Sequence, residues 1–264
     1  MNALPVFLAL GFFLGMRHAT DPDHVVAVAT IVSRQRTPGS AALIGAAWGV
    51  GHTLTILLVG GGIILFGWVI PARLGLSLEL AVGIMLIVLG AANLGDLLRL
   101  FRSGEANPVR QGQIHSHVHS HGDYVHTHPH GHAPEFHPHE PDRTPVTWLD
   151  RHVGRVPLYR LLRPMTVGVV HGLAGSAAVA LLVLTTIREP TWGVLYLALF
   201  GVGTIAGMMI VTAAIALPFR YAGARSGLFA QRLRLASGLV SVGFGCLLAY
   251  RIAVVQGLFA GSPQ

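Results

Sequence analysis

The stretch RHATDPDH, residues 17–24, places two imidazoles, two carboxylates and a guanidinium inside an apolar run, with ALPVFLALGFFLGM before it and VVAVATIV after it. Two histidines with a nearby carboxylate suit a borderline divalent metal such as Ni2+, Co2+ or Zn2+, whereas Mg2+ and Ca2+ take all-oxygen shells. Pro22 has no N–H to offer the carbonyl of His18, and it disfavours helical backbone at Asp21. A helix running through this stretch is therefore expected to break near Pro22, letting His18, Asp23 and His24 converge from the two sides of the break. Arg17 is expected to pair with Asp21 or Asp23, leaving the other carboxylate free. An Arg17 ion pair with the histidines as packed hydrogen-bonders is the purely structural alternative, and the two readings are compatible.

His52 adds a donor from WGVGHTL, where Gly49 and Gly51 permit close helix approach. The expected metal set is His18, Asp23, His24 and His52. Asp21 and His171 are further metal or pathway candidates, and Arg17 and Thr53 support the ligands from behind. Asn93 and Asp96, one helical turn apart, are either a pathway element or an interfacial cap.

Composition says what kind of element holds these groups. Of the 264 residues, 52% are hydrophobic and 11% charged, with a mean hydropathy of +0.61, against roughly 25% charged in soluble domains. Apolar stretches long enough to cross a bilayer, which takes about 20 residues, lie at about 3–33, 39–70, 76–101, 164–187, 191–217 and 233–258. The first lacks a small-residue cleavage site and reads as a retained span. Ionisable side chains at bilayer depth are costly and face cavities or ion pathways. His18, His52 and His171 share one depth near the middle of their spans.

All 18 basic residues are arginine. Without lysine there is no phosphate-binding P-loop and no Schiff base, so ATP-driven transport by this chain alone and pyridoxal chemistry are excluded. Cys246 is the only cysteine and reads as a buried structural thiol, with no intrachain disulfide or cysteine metal cage open to the chain. The arginines follow the loops rather than one face, so they point to membrane topology and not to nucleic acid. Discounting the long third loop, six arginines on one side face three on the other, which puts both termini outside and residues 102–163 in the cytoplasm.

The second half lies over the first. GMRHATDPDHVVAVAT aligns with GVVHGLAGSAAVALLV, WGVGHTL with FGVGTIA, and LELAVGIMLIVLG with LRLASGLVSVGFG, at offsets of 153, 152 and 155. His18 meets His171, and His52 meets Thr204. Three spans per repeat is an odd number, so the halves enter the membrane in opposite senses, as in secondary transporters with a midplane site. The expected fold is an all-α integral membrane protein of six transmembrane helices in two inverted three-helix repeats, residues 1–101 and 164–264, joined by residues 102–163. That joining segment carries His115, His117, His119, His121, His126, His128, His130, His132, His137 and His139 among Gly, Pro and polar residues. It is expected to be disordered and to gather metal at the cytoplasmic face, followed by a basic surface helix around His152.

His18, Asp23 and His24 form an H-x-x-x-x-D-H pattern that resembles the signature helix of the nickel/cobalt transporter (NiCoT, NicO-type) family, and GVGHTLTI around His52 is similar to its second motif. The resemblance implies secondary transport of Ni2+ or Co2+ across a prokaryotic cytoplasmic membrane, with these histidines and the aspartate recognising the metal. HGLAGSAAV in the second half, in place of the acidic motifs of longer members, is similar to the short branch associated with urease accessory permeases. Uptake is the expected direction and nickel/cobalt efflux the alternative. A membrane metal sensor or an intramembrane metalloenzyme is the alternative outside transport. The metal is cargo and not a cofactor. The expected partners are the ion and the bilayer, with a second copy of the chain and a cytosolic nickel chaperone left open.

Overall fold

The computed structural model describes residues 4–33, 37–105, 114–121, 124–131, 161–162, 164–174, 189–225 and 227–259. The chain opens with α1, Leu4–His18, and α2, Pro22–Val32, separated by a sharp break. The break follows from the proline. Asp21 takes an extended backbone, φ −61° and ψ 145°, and Pro22 starts α2 in the first turn, where a missing N–H costs nothing. The last turn of α1 closes with short-range bonds, Thr20 N to the Arg17 carbonyl at 2.9 Å and Asp21 N to the His18 carbonyl at 3.0 Å. The carbonyl that Pro22 leaves without its helical partner is thus satisfied locally.

Four long helices follow the break. Helix α3, Pro38–Phe66, is capped by Thr37, whose hydroxyl accepts from Ser40 N, and stops at Gly67 in the left-handed conformation, φ 66°. Helix α4 is Ala72–Glu105. In the second half come α5, Pro164–Ala174, α6, Pro190–Arg225, and α7, Gly227–Tyr250, which runs into a π-helical turn at Arg251–Val255. Among the described residues four stretches are long and apolar enough to span a bilayer: Pro38–Phe66, Ala72–Gly95, Pro190–Ala222 and Leu228–Val255. The first expected span is divided into α1 and α2 at the expected break near Pro22, and the second part of the fourth lies outside the described residues.

Within residues 102–163, Ile114–His121 (β1) and Tyr124–Gly131 (β2) form an antiparallel hairpin, with His115 opposite His130, His117 opposite His128 and His119 opposite His126. Alternation at every second residue is the strand period, and a hairpin satisfies its backbone across the pair without a core. Apart from this hairpin the described elements are helical. The surface helix expected around His152 lies almost wholly outside the described residues.

The main packing partners are α3 with α6, α4 with α7 and α1 with α6, while α2 lies against α4, α6 and α7. Glycine makes this approach possible. A Cβ at Gly15 would overlap the Phe200 carbonyl, one at Gly168 the Trp48 carbonyl, one at Gly51 the Met165 carbonyl and one at Gly203 the Phe12 carbonyl. Gly83 and Gly90 of α4 face Gly245 and Gly238 of α7, with a Cβ at Gly245 coming within 2.7 Å of the Gly83 carbonyl and one at Gly90 within 2.7 Å of the Gly238 carbonyl. Apolar side chains fill the remaining space between α1–α4 and α6, among them Ala19, Val28, Trp48, Leu86 and Met208. Buried polar groups tie the ends. The Asn93 amide donates to the Arg234 carbonyl and to Ser237 Oγ, both at 3.2 Å, Arg234 Nε donates to the Ser33 carbonyl at 3.1 Å, and Ser241 Oγ to the Leu86 carbonyl at 2.8 Å.

Cys246 is exposed on α7 and is not the buried thiol expected from sequence. An apolar span faces lipid as readily as protein, so the composition around a residue does not reveal which way it points.

The glycine contacts make a direct prediction. Gly203→Ala sets a methyl against the backbone of α1 and should cost at least about 1–3 kcal/mol, as overpacking does. Gly61→Ala, where nothing lies within 4 Å, should leave the protein unchanged. Thermal unfolding of the two variants in detergent checks the contrast.

Candidate metal centre

The break between α1 and α2 brings His18 at the end of one helix against Asp23 and His24 in the first turn of the next. His52 reaches the same place from the middle of α3, and His171 from α5. His24, His52 and His171 are buried, at 1%, 1% and 2% exposure. The four imidazoles form one cluster. The His24 ring centroid lies 4.8 Å from that of His18, 5.2 Å from that of His52 and 4.2 Å from that of His171.

Two carboxylates stand behind the rings. Asp21 Oδ2 accepts from His18 Nδ1 at 2.8 Å. Asp23 Oδ1 accepts from the His24 backbone N–H at 3.0 Å and from His24 Nδ1 at 3.2 Å, while Asp23 Oδ2 accepts from His171 Nε2 at 2.9 Å. A carboxylate at Nδ1 holds the proton there and leaves the Nε2 lone pair free, which is the usual support behind a metal-ligating histidine. His18 Nε2 then faces His52 Nε2 at 3.1 Å. Two nitrogens bound to one ion at about 2.1 Å stand about 3.0–3.4 Å apart for angles between a right angle and the tetrahedral value.

Four buried nitrogens in this cluster have no hydrogen-bond partner among the described residues: His24 Nε2, His52 Nδ1, His171 Nδ1 and Trp48 Nε1. Each such atom costs roughly 1–3 kcal/mol, and four together describe a site shaped for something other than its own side chains. Two sets of donors lie close enough to share one ion, with ligand atoms within 4.8 Å of one another: His18, His24 and His52, and Asp23, His24 and His171.

The structure therefore gathers His18, Asp23, His24 and His52, and adds Asp21 and His171 to them. Other expected residues stand elsewhere. Arg17 is exposed, and the partners of Asp21 and Asp23 are histidines where an arginine pair was expected. Thr53 Oγ1 donates to the Gly201 carbonyl at 3.1 Å and pins α3 to α6. Asn93 joins α4 to α7, as an interfacial residue does. The side chain of Asp96 and those of the histidines on the hairpin lie outside the described structure, as do His132, His137 and His139. Trp48 was not anticipated. It is fully buried, with its ring 6.2 Å from that of His24 and 5.7 Å from that of His171. Its position four residues before His52 puts both on one helix face, which is the signal that could have found it.

Comparison with known proteins bears on the same residues. The family model described as High-affinity nickel-transport protein (NicO) matches residues 5–147, a range that contains His18, Asp21, Asp23, His24 and His52. The chain is 33% identical over 257 residues to the urease accessory protein UreH of Bacillus sp. (strain TB-90), covering 96% of this chain and 94% of that one. No solved structure matches the chain. With most of its described residues in apolar helices, a buried polyhistidine cluster at a helix break, and these two matches, the chain belongs to the NicO family of nickel-transport proteins and is a multi-pass membrane protein, not an enzyme.

Proposed function

We propose that this protein is a secondary permease that takes up Ni2+, and also Co2+, across a prokaryotic cytoplasmic membrane through the buried histidine cluster. One observation carries the reading: three imidazoles, of His18, His24 and His52, come within sharing distance of one ion, two of them held by carboxylates at the far nitrogen. Neutral imidazoles suit borderline metals and bind hard cations poorly. In this reading His18, His24 and His52 are the ligands, while Asp21 and Asp23 orient them and balance the charge of the ion.

The scaffold is proposed to be a pair of inverted three-span repeats. Reciprocal contacts support it. If Gly15 corresponds to Gly168 and Trp48 to Phe200, a two-fold relation requires Gly15 on Phe200 together with Gly168 on Trp48, and both occur. The same holds for Gly51 on Met165 with Gly203 on Phe12, and for the crossed pairs Gly83–Gly245 and Gly90–Gly238. Such repeats move against each other around a central site.

Uptake needs no further energy source in this scheme. A potential of 100 mV, negative inside, favours inward movement of a divalent ion by about 4.6 kcal/mol. The arginine distribution supports a topology with both termini outside and the histidine-rich segment inside, where it would gather metal. That same segment is the observation in favour of the second reading, efflux, since a cytoplasmic collector also serves an exporter. The urease accessory relative fits inward delivery of metal to an enzyme in the cytosol.

Protein reconstituted in liposomes should carry nickel down a gradient, and cells expressing it should accumulate nickel rather than become resistant to it. His18→Ala, His24→Ala and His52→Ala should each reduce the initial rate below about a tenth of wild type; undiminished transport by His24→Ala would remove the proposed site.

Asp21→Asn, which weakens the support behind His18, should lower nickel affinity by about 10–100-fold in a calorimetric titration without changing the melting temperature. Deleting residues 115–139 should alter apparent affinity while leaving transport in place.

A further inference from the structure

Resting on the nickel-transport reading above, we propose that Asp23, His24 and His171 form a second coordination position for the ion, and that the ion passes between it and the trihistidine position while staying bound to His24. Their ligand atoms lie within 4.8 Å of one another, as those of His18, His24 and His52 do, and His24 belongs to both sets. The trihistidine position, which His18 Nε2 and His52 Nε2 approach, accounts for the unpartnered His24 Nε2 but not for His171 Nδ1 or the indole nitrogen of Trp48, whose rings pack together at 5.7 Å. With an ion on His171 Nε2 both are donors without an acceptor, and water carried on the ion would provide one.

The chemistry of the exchange is balanced without proton release. His171 donates its Nε2 proton to Asp23 Oδ2 at 2.9 Å. When the ion takes that oxygen, His171 binds through Nε2, the nitrogen that faces Asp23, and its proton moves through water from Nε2 to Nδ1, which has no other partner among the described residues. His24 keeps its Nδ1 bond to Asp23 and presents Nε2 throughout. The ion then leaves two neutral imidazoles, of His18 and His52, for one neutral imidazole and a carboxylate. One ring separates the two positions: that of His24 lies 5.2 Å from His52 and 4.2 Å from His171.

The positions also differ in which part of the chain builds them. His18, His24 and His52 all come from α1–α3, whereas His171 is carried by α5 of the second half. Movement of the second half against the first would leave the trihistidine position intact and would open the second by parting His171 from Asp23. The trihistidine position therefore sets affinity, and the second sets the rate at which the ion moves on.

The test measures nickel binding, nickel coordination and liposome flux on the same full-length preparations. His171→Asn keeps an amide donor for Asp23, and should bind nickel within about threefold of wild type with three imidazoles by X-ray absorption, yet transport at under about a tenth of the wild-type rate. His52→Ala should bind more than about tenfold more weakly, and its residual nickel should show two imidazoles and a carboxylate. The second measurement does not depend on how any His171 variant folds, and His171→Gln replaces the asparagine if that variant melts early. Wild-type flux in a folded His171 variant would overturn the second position, as would residual nickel in His52→Ala lacking the carboxylate. A loss of affinity in His171→Asn equal to that in His52→Ala would instead show one joint site. Failure of the underlying reading looks different: wild-type protein moving no nickel, or His24→Ala transporting normally.

Discussion

The carboxylate of Asp23 is the group around which this molecule is organised. It accepts three hydrogen bonds, two from His24 and one from His171, and so joins the first turn of α2 to a helix from the other half of the chain. It can do so because α1 and α2 are separate helices. In one continuous helix His18 and His24, six residues apart, would project at directions differing by roughly 120° around the axis. With the break at Ala19–Asp21 the two rings lie 4.8 Å apart and share a face of the same cluster. Pro22 thus does more than end a helix. It turns a sequence of spaced donors into a converging set, and the extended backbone of Asp21 lets its own carboxylate fold back onto His18.

A cluster of this kind is stable in a membrane protein only if the elements around it come close. Water is not there to satisfy polar groups, and lipid gives helices no hydrophobic reason to associate, so close van der Waals packing has to hold them. The glycines of α1, α3, α5 and α6 provide it. Gly168 and Gly172 of α5 rest on the backbone of α3 at Trp48 and His52, which sets the depth at which His171 meets Asp23. A bulkier residue on that seam would push α5 outward and take the histidine with it. Packing and chemistry are coupled here through a few backbone contacts, which makes the position of α5 the natural variable for any change of state.

Much of the site was legible in the sequence because its logic is local. The unusual charge in an apolar run, the proline between the donors and the glycines around His52 are all short-range patterns with direct physical meaning. Where expectation failed, the missing information was orientation. Arg17 looked like the partner of an aspartate, but it is exposed, and the carboxylates accept from imidazoles, Asp21 from His18 and Asp23 from His24 and His171. Cys246 looked buried because its surroundings are apolar, yet it is exposed on α7.

The sequence by itself determined the apolar helices, the break at Pro22, the donor types that suit a borderline metal, and the family, because each depends on residue identity at short spacing. Only the tertiary structure decided which nitrogen of His18, His24 and His171 is held by a carboxylate and which is free. That depends on where Asp21 and Asp23 come to rest relative to the rings. It also decided that His171, 147 residues after His24, packs against it at 4.2 Å with Asp23 as common partner. Long-range placement of this kind follows from helices meeting at glycine seams, and no local pattern in the chain records the angle at which they meet.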